Sequence, residues 1–306
     1  MILSYEPERN VARHSSFSFY LIFLQNFDII IIEKKNFTRG GIDLKYACKF
    51  YQGCPMLESS DEIIIKYFKK DREILDFVQK WKPEQTVVLN VTQLSEDEFR
   101  DSLELFSAAL KLHSITIMCS KFQDYFSLYE NNLPYFFIEP CGTMDELTGQ
   151  IRAKVSNVYI TNELGFYLPE IAPLCKSSNI KVRVIPNLAQ SSTDLAEDDF
   201  TKFFIRPEDI YLYEDLVDVI EFYTPEDRLD AQNIISEVYK EGKWQGNLAL
   251  IIYGIEPINN SAIMPLFGET RLKCKKKCCF QKCNICATIK SISKELDKKN
   301  IHFEKE

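Results

Sequence analysis

The feature that most constrains this chain is an alternation that runs from residue 45 onward, in which short β-branched or aromatic runs are separated by segments with apolar residues every three or four positions. Eight runs stand out as strands: EIIIKY (62–67), QTVVLNV (85–91), SITIMCS (114–120), YFFIEP (135–140), NVYITN (157–162), IKVRVIPN (180–187), KFFIRP (202–207) and VDVIEF (217–222). The helical segments between them include DREILDFVQKW (71–81), SEDEFRDSLELFSAALKLH (95–113), TMDELTGQIRAK (143–154), LGFYLPEIAPLCKSSN (164–179) and EDRLDAQNIISEVYKEG (226–242). In the second, Phe99, Leu103, Phe106 and Leu110 share a face, and Ser95 with Glu98 forms a capping box. Thr143 and Glu146 repeat that start signal, while Pro169 and Pro173 are expected to shorten or bend the fourth.

Apolar strands separated by helices imply a parallel sheet covered on both faces, because parallel strands need crossovers and helices fill them. Eight such units predict a (β/α)8 TIM-like barrel over residues 44–246. The alternative is an open doubly wound sheet, which usually carries a glycine-rich phosphate loop after its first strand. With ten glycines, the chain contains neither GxGxxG nor GxxxxGK[ST]. A ninth run, KYACKFYQG (45–53), is expected to pair with the barrel or plug it.

Residues 1–43 read as an N-terminal extension. Its apolar stretch FSFYLIFLQNFDIIII (17–32) is broken by Gln25, Asn26 and Asp28 and followed by Glu33, Lys34 and Lys35. That pattern suits neither a span of about 20 apolar residues nor a cleaved leader. RGGIDL (39–44) can be encoded with a bacterial ribosome-binding sequence just ahead of a TTG start at Leu44, so the extension is expected to be an over-long reading of the gene. Residues 247–306 read as a C-terminal extension.

A net charge of -8 argues against a polyanion-binding surface over the whole molecule. The three histidines, His14, His113 and His302, sit in the terminal segments or at the end of a helix, which leaves histidine chemistry without a base. No GxSxG, HExxH or DxDxDG motif is present. Ten cysteines in a chain long enough to bury its own core do not read as a disulfide framework, and a reducing, cytoplasmic compartment is expected.

Catalytic groups of such a barrel come from the C-terminal ends of its strands. The strand ends offer Glu139, Arg206 and Glu221 as catalytic candidates, and Lys66, Asn90, Asn162, Glu163, Asn187 and Glu208 as ligand-binding ones. The first three end apolar runs, where a charge must reach a wet mouth or a counter-charge, and the planar fork of Arg206 suits a carboxylate or an anionic ligand. Each candidate can equally cap a helix or satisfy loop backbone. Glu139 with Glu208 has the makings of a glycosidase carboxylate pair, although Trp81 and Trp244 are not placed as sugar platforms. A small-molecule or peptide ligand at the mouth is the expected partner, with no membrane.

The segment CKKKCCFQKCNIC holds Cys274, Cys278, Cys279, Cys283 and Cys286, five thiols within residues 274–286. Four thiolates close a tetrahedral zinc site or hold a 4Fe-4S cluster, which leaves one of Cys278 and Cys279 spare. The surrounding lysines favour thiolate and offset its charge. They can also meet phosphate, so a nucleic-acid contact through this patch is conceivable. Zinc is the expected metal, with the cluster as the alternative.

The runs VYITNELGFYLPEIA and IKVRVIPNLAQ resemble the peptidase U32 family, whose barrels carry a similar strand, N-E/D-L-G turn, helix and strand ending in asparagine. FFIRPEDI with VDVIEF resembles uncharacterised barrel proteins of phages and their bacterial hosts. The resemblance covers residues 157–222. It implies a cytoplasmic (β/α)8 protein with a cysteine-bound cofactor, from a family that includes classed peptidases and iron-sulfur proteins linked to hydroxylation of RNA or quinone precursors. It carries over only Asn162, Glu163, Gly165 and Asn187, as loop or pocket positions. The family's mid-chain signature of glycine, small residue and cysteines is missing, and the cysteines lie after the barrel. Two functions follow as expectations. One is a metal-containing, U32-like enzyme; the other is a noncatalytic, phage-associated binding module with a zinc-stapled tail.

Overall fold

The computed structural model describes residues 19–21, 31–33, 44–51, 54–67, 73–189, 202–225, 228, 231–274 and 285–303. The chain divides into two compact units, Met1–Asp43 and Leu44–Glu306. In the first, Phe19–Leu21 pairs antiparallel with Ile31–Glu33.

The second unit holds eight parallel strands: β1 (Lys45–Lys49), β2 (Glu62–Lys66), β3 (Thr86–Asn90), β4 (Ile115–Cys119), β5 (Tyr135–Phe137), β6 (Asn157–Ile160), β7 (Lys181–Val184) and β8 (Val219–Glu221). Hydrogen-bonded neighbours run β5-β4-β3-β2-β1-β8-β7-β6. The two ends of that order meet: Ser156 N donates to Tyr135 O at 2.7 Å, and Cys141 N to Tyr159 O at 2.9 Å. A sheet whose first and last strands join has no open edge, so the fold is a (β/α)8 barrel and the doubly wound alternative falls.

The helices are α1 (Glu73–Val78), α2 (Glu96–Leu112), α3 (Tyr125–Glu130), α4 (Met144–Arg152), α5 (Asn162–Gly165), α6 (Leu168–Ser177) and α7 (Ala231–Glu241), then α8 (Phe267–Leu272) and α9 (Ile285–Phe303). Both capping boxes form, Ser95 with Glu98 and Thr143 with Glu146. The two-proline segment splits at Phe166 and Tyr167 into α5 and α6, with Pro169 in the first turn of α6 and Pro173 inside it. After α7, Gly242 adopts φ 62°, the left-handed stop that glycine takes most easily.

Alternate residues of the strands fill the lumen with Ala47, Ile64, Val88, Met118, Phe136, Tyr159 and Val219. The opposite parity, including Ile63, Val87, Leu89, Ile117 and Val158, is buried under the helices. Both faces thus carry apolar side chains, as the sequence pattern required, with Glu62, Arg183 and Glu221 buried among those of the lumen.

One strand assignment is corrected. Eight strands form, but Lys45–Lys49 is one of them and residues 202–207 are not. β1 sits between β8 and β2, with Val219 opposite Lys45 and Ala47 opposite Glu62. Phe203, Phe204 and Ile205 are buried, yet their backbone is satisfied without a ladder. Ile205 N donates to Pro186 O at 2.9 Å, the Tyr239 hydroxyl donates to Ile205 O at 2.6 Å, and the Arg271 guanidinium donates to Phe204 O at 3.0 Å and to Lys202 O. Pro207 has no N–H to extend a strand. An apolar run thus packs on the barrel without joining its sheet.

The residues after 246 are hydrogen-bonded to the barrel. Ala189 N donates to Tyr253 O and Tyr253 N to Asn187 O, each at 2.8 Å. Among the described residues, no helix is long and apolar enough to cross a membrane.

Candidate functional site

The lumen contains a file of alternating charges that runs along the barrel axis. At the N-terminal end, Lys181 Nζ lies 3.9 Å from Glu62 Oε1, and Glu62 Oε2 accepts from Arg183 Nη2. Arg183 Nη1 then lies 3.6 Å from Glu221 Oε2, and Glu221 Oε1 lies 3.9 Å from Lys49 Nζ at the C-terminal end of β1. The Tyr159 hydroxyl donates to Glu221 Oε2. The Arg183 guanidinium stacks over Phe136 at 4.8 Å and Tyr159 at 5.5 Å.

The electrostatics follow from burial. The Arg183 side chain is 0% exposed, so burial works against its charge, but Glu62, Tyr159 and Glu221 together overcome that and raise its pKa. Burial first and the Glu221 charge second push the Tyr159 hydroxyl well above its ordinary range, which keeps it a donor. The two oxygens of Glu221 consequently have different surroundings. One is fixed from below by Tyr159 and Arg183; the other faces Lys49, whose side chain is 35% exposed. Lys49 also lies 6.0 Å from the centre of the Tyr223 ring. This is the one place among the described residues where a buried ion network reaches the strand ends.

The other candidates are distributed differently. Glu139 accepts from the Ser120 hydroxyl at 2.7 Å and from Lys121 N at 3.0 Å, pinning the turn after β4 to the one after β5. Arg206 is buried and forks onto Asp209, with Nε to Oδ2 at 2.7 Å and Nη2 to Oδ1 at 3.0 Å, while Nη1 reaches Asn260 Oδ1 at 3.4 Å. Burial raises the Asp209 pKa and Arg206 works against that rise. Asn187 is fully buried and joins three segments. It donates to Tyr223 O at 2.9 Å and Ile251 O at 3.2 Å, and accepts from Tyr223 N at 2.8 Å. Glu208 Oε1 accepts from Trp244 N at 2.6 Å and Asn260 Nδ2 at 2.7 Å. Asn90 accepts from the backbone and hydroxyl of Thr92, and Lys66 is exposed at the end of β2.

Asn162 and Glu163 open α5, and their side chains lie outside the described residues. Gly165 has a packing reason, since a Cβ there would stand 2.4 Å from the Phe203 ring. Among the described side chains of the predicted pocket residues, Glu221 is the one that belongs to the lumen network. Glu62, Tyr159, Arg183 and Lys49 escaped the sequence reading. The signal was present in IKVRV, where Lys181 and Arg183 share one face of the strand and Val182 and Val184 the other.

Of the metal candidates, Cys274 follows α8 as a partly exposed free thiol, with its N–H donating to Arg271 O at 3.2 Å. Cys278, Cys279 and Cys283 lie outside the described residues, as does the side chain of Cys286 in the first turn of α9. No group of three or more potential metal ligands occurs among the described residues. Cys119, the last residue of β4, is buried, and burial pushes its pKa to about 12.

No family model and no curated protein matches the chain. Solved structures similar to it include the following two. One is a 4-hydroxy-2-oxoglutarate aldolase/2-deydro-3-deoxyphosphogluconate aldolase from TTHB1, at 11% identity and a TM-score of 0.35, covering 69% of this chain and 95% of that one. The other is a glycerol uptake operon antiterminator-related protein from Thermotoga maritima MSB8, at 18% identity and a TM-score of 0.33, covering 58% of this chain and 94% of that one. Values this low say nothing about activity.

Proposed function

We propose that the chain is a barrel enzyme of small-molecule chemistry whose working site is the C-terminal mouth around Glu221 and Lys49. The observation that carries this reading is the asymmetric Glu221 carboxylate, anchored on one oxygen by Tyr159 and Arg183 and turned on the other towards the lysine. A carboxylate held by buried donors keeps a fixed direction for proton transfer, and a partly exposed ammonium beside it suits a substrate carboxylate, phosphate or polarised carbonyl oxygen. The Tyr223 ring gives the lysine an apolar wall. The file of three cations and two carboxylates carries one surplus positive charge, which favours an anionic ligand over a cationic one.

The motif resemblance narrows this to a U32-like modifying enzyme with a metal held by the cysteine segment. Cys274 follows α8 and Cys286 stands in the first turn of α9, and a set of five thiols has the donor chemistry of zinc or a 4Fe-4S cluster. Zinc would staple the tail, whereas a cluster would supply electron transfer. The competing reading, a noncatalytic binding module, draws support from the number of rim groups occupied by loops, Asn187, Glu208 and Glu139 among them.

The test is thermal-shift screening of the full, anaerobically purified chain against small carboxylates, phosphates and oxo acids, followed by metal analysis. A ligand whose stabilisation disappears in Lys49→Met and weakens about tenfold in Glu221→Gln supports the mouth. Binding that survives both substitutions places the ligand elsewhere. Iron with visible absorbance near 400 nm favours the enzyme reading, stoichiometric zinc the stapled tail, and the absence of both removes the metal.

A further inference from the structure

Cys48 and Cys54 stand apart from the other buried thiols. Their sulfurs are 3.5 Å apart, at van der Waals contact, with the two residues 0% and 6% exposed. A disulfide needs about 2.05 Å, so a closure of roughly 1.5 Å would join them. Cys48 lies in β1 directly before Lys49, and Cys54 follows a turn in which its N–H donates to Tyr51 O at 3.1 Å. Met56, Tyr51 and Leu57 pack around the pair.

What surrounds the sulfurs is polar and connected. Gln232 Nε2 touches Cys54 Sγ at 3.5 Å and donates to Lys49 O at 2.9 Å, while Gln232 Oε1 accepts from Lys49 N at 3.2 Å. The Cys54 thiol donates to Asn233 Oδ1 at 3.7 Å, and Asn233 Nδ2 donates to the Tyr51 hydroxyl at 2.7 Å. A pair that only filled space would not need amide side chains from α7 fitted to it. Cys119 shows the contrast, its thiol reaching a single backbone carbonyl, Phe136 O, at 3.6 Å.

We propose that Cys48 and Cys54 form an intramolecular dithiol/disulfide couple oxidised by hydrogen peroxide. The sulfur of Cys54, the more exposed residue of the two, attacks one peroxide oxygen. The O–O bond breaks, an S–O bond forms, and the departing hydroxide takes the thiol proton to give water. Cys48 sulfur then attacks the sulfenic sulfur, the S–O bond breaks, and the second hydroxide leaves with the Cys48 proton. Two thiols and one peroxide thus give one disulfide and two waters. Closure removes the S–H donor to Asn233 and draws Cys54 Sγ away from Gln232, the side chain that clamps the backbone of Lys49. The couple is independent of any reading of the mouth, although its clamp reaches the residue that lines it.

Trypsin makes the test direct, because cleavage after Lys45, Lys49 and Lys66 puts the two cysteines in separate peptides, 46–49 and 50–66. The folded full chain is treated with graded hydrogen peroxide, alkylated in denaturant and digested. The expected result is a 46–49/50–66 pair linked by a disulfide that rises with peroxide, disappears on reduction, and is absent from Cys48→Ser and Cys54→Ser. Oxidation of the partly exposed Cys274 gauges the dose. Recovery of both peptides fully alkylated at doses that oxidise Cys274 would overturn the proposal. So would linkage of either cysteine to a third one in preference to its neighbour.

Discussion

Two buried arginines divide the molecule between them. Arg183 stands in the lumen and pairs with Glu62, 121 residues away in sequence, and with Glu221 from a third strand. Arg206 stands in the β7–β8 crossover and forks onto Asp209, three residues on. Both lie against aromatic rings, Arg183 over Phe136 and Tyr159, Arg206 over Phe267. The first ties β2, β7 and β8 together across the barrel; the second clips a loop to itself and, through Asn260, to the C-terminal residues. The difference teaches that a buried charge at the end of an apolar run does not by itself mark a reactive mouth. Where its partners come from decides that.

Removing each arginine should separate the two roles. Arg183→Met removes the cation between Glu62 and Glu221 and leaves each buried carboxylate with a partly exposed lysine at 3.9 Å, and breaking a buried pair costs about 3–5 kcal/mol. The expected outcome is a chain that unfolds at much lower urea or is recovered insoluble. Arg206→Met leaves one carboxylate, Asp209, whose pKa burial already raises, so protonation can relieve the charge. Its loss should be nearer about 2–3 kcal/mol near neutral pH and should depend on pH. An acid with a raised folded pKa favours the folded state below its unfolded pKa, and that advantage is lost as pH rises through the folded value. The variant should therefore recover stability as pH falls into the carboxylate range. Equal losses for the two variants, with no pH dependence for the second, would erase the distinction.

How much of this was readable from sequence follows the same division. The barrel was legible, because parallel strands buried on both faces write themselves as uninterrupted apolar runs between amphipathic helices. The run KFFIRP misled for a physical reason. It is apolar and buried like a strand, but its carbonyls are taken by the side chains of Tyr239 and Arg271, 34 and 67 residues from the carbonyls they bond at Ile205 and Phe204. KYACK was the opposite case, expected to pair with the barrel or plug it but not counted among the eight strands, because the short link to β2 holds only a turn of 3-10 helix, Pro55–Ser59. Within the lumen network, Glu221 was legible because it ends a run. Arg183 was passed over because a charge inside an apolar run gives no hint of the two strands that neutralise it.

A smaller effect sharpens the local side of the comparison. Gly268 in α8 has no room for a side chain, since a Cβ there would stand 2.3 Å from Asp209 Cγ. Gly268→Ala must push Asp209 off Arg206 or move α8, and overpacking of this kind costs about 1–3 kcal/mol. Gly149 in α4 is the control, with nothing within 4 Å of its added Cβ. Gly149→Ala should gain about 0.5–1 kcal/mol from helix propensity alone. Thermal melts of the two variants, moving in opposite directions, would show that the clip depends on close packing and not on helix content.

The smallest expected effect lies at the surface, where charge does local work without burial. Glu98 and Glu146 each return to the start of their own helix. Glu98 accepts from Ser95 N at 3.0 Å, and Glu146 accepts from Gly142 N at 2.8 Å and Thr143 N at 3.2 Å. The Ser95 backbone donor lowers the Glu98 carboxyl pKa below the ordinary 4.5, and the Gly142 backbone donor, followed by the Lys121 ammonium at 3.2 Å, does the same for Glu146. For an acid with a lowered folded pKa the stabilisation is present above the unfolded value and lost as pH falls through the folded one, the reverse of Asp209. Titration of the two carboxyls by NMR should give midpoints below 4.5, with fraying of the first turns of α2 and α4 as they protonate. Glu98→Gln should keep the reach to Ser95 N but lose the pH dependence, because an amide accepts the same bond without a charge. Midpoints at the ordinary value would mean that these caps hold by hydrogen-bond geometry alone, leaving the lumen and the crossover as the places where charge shapes the fold.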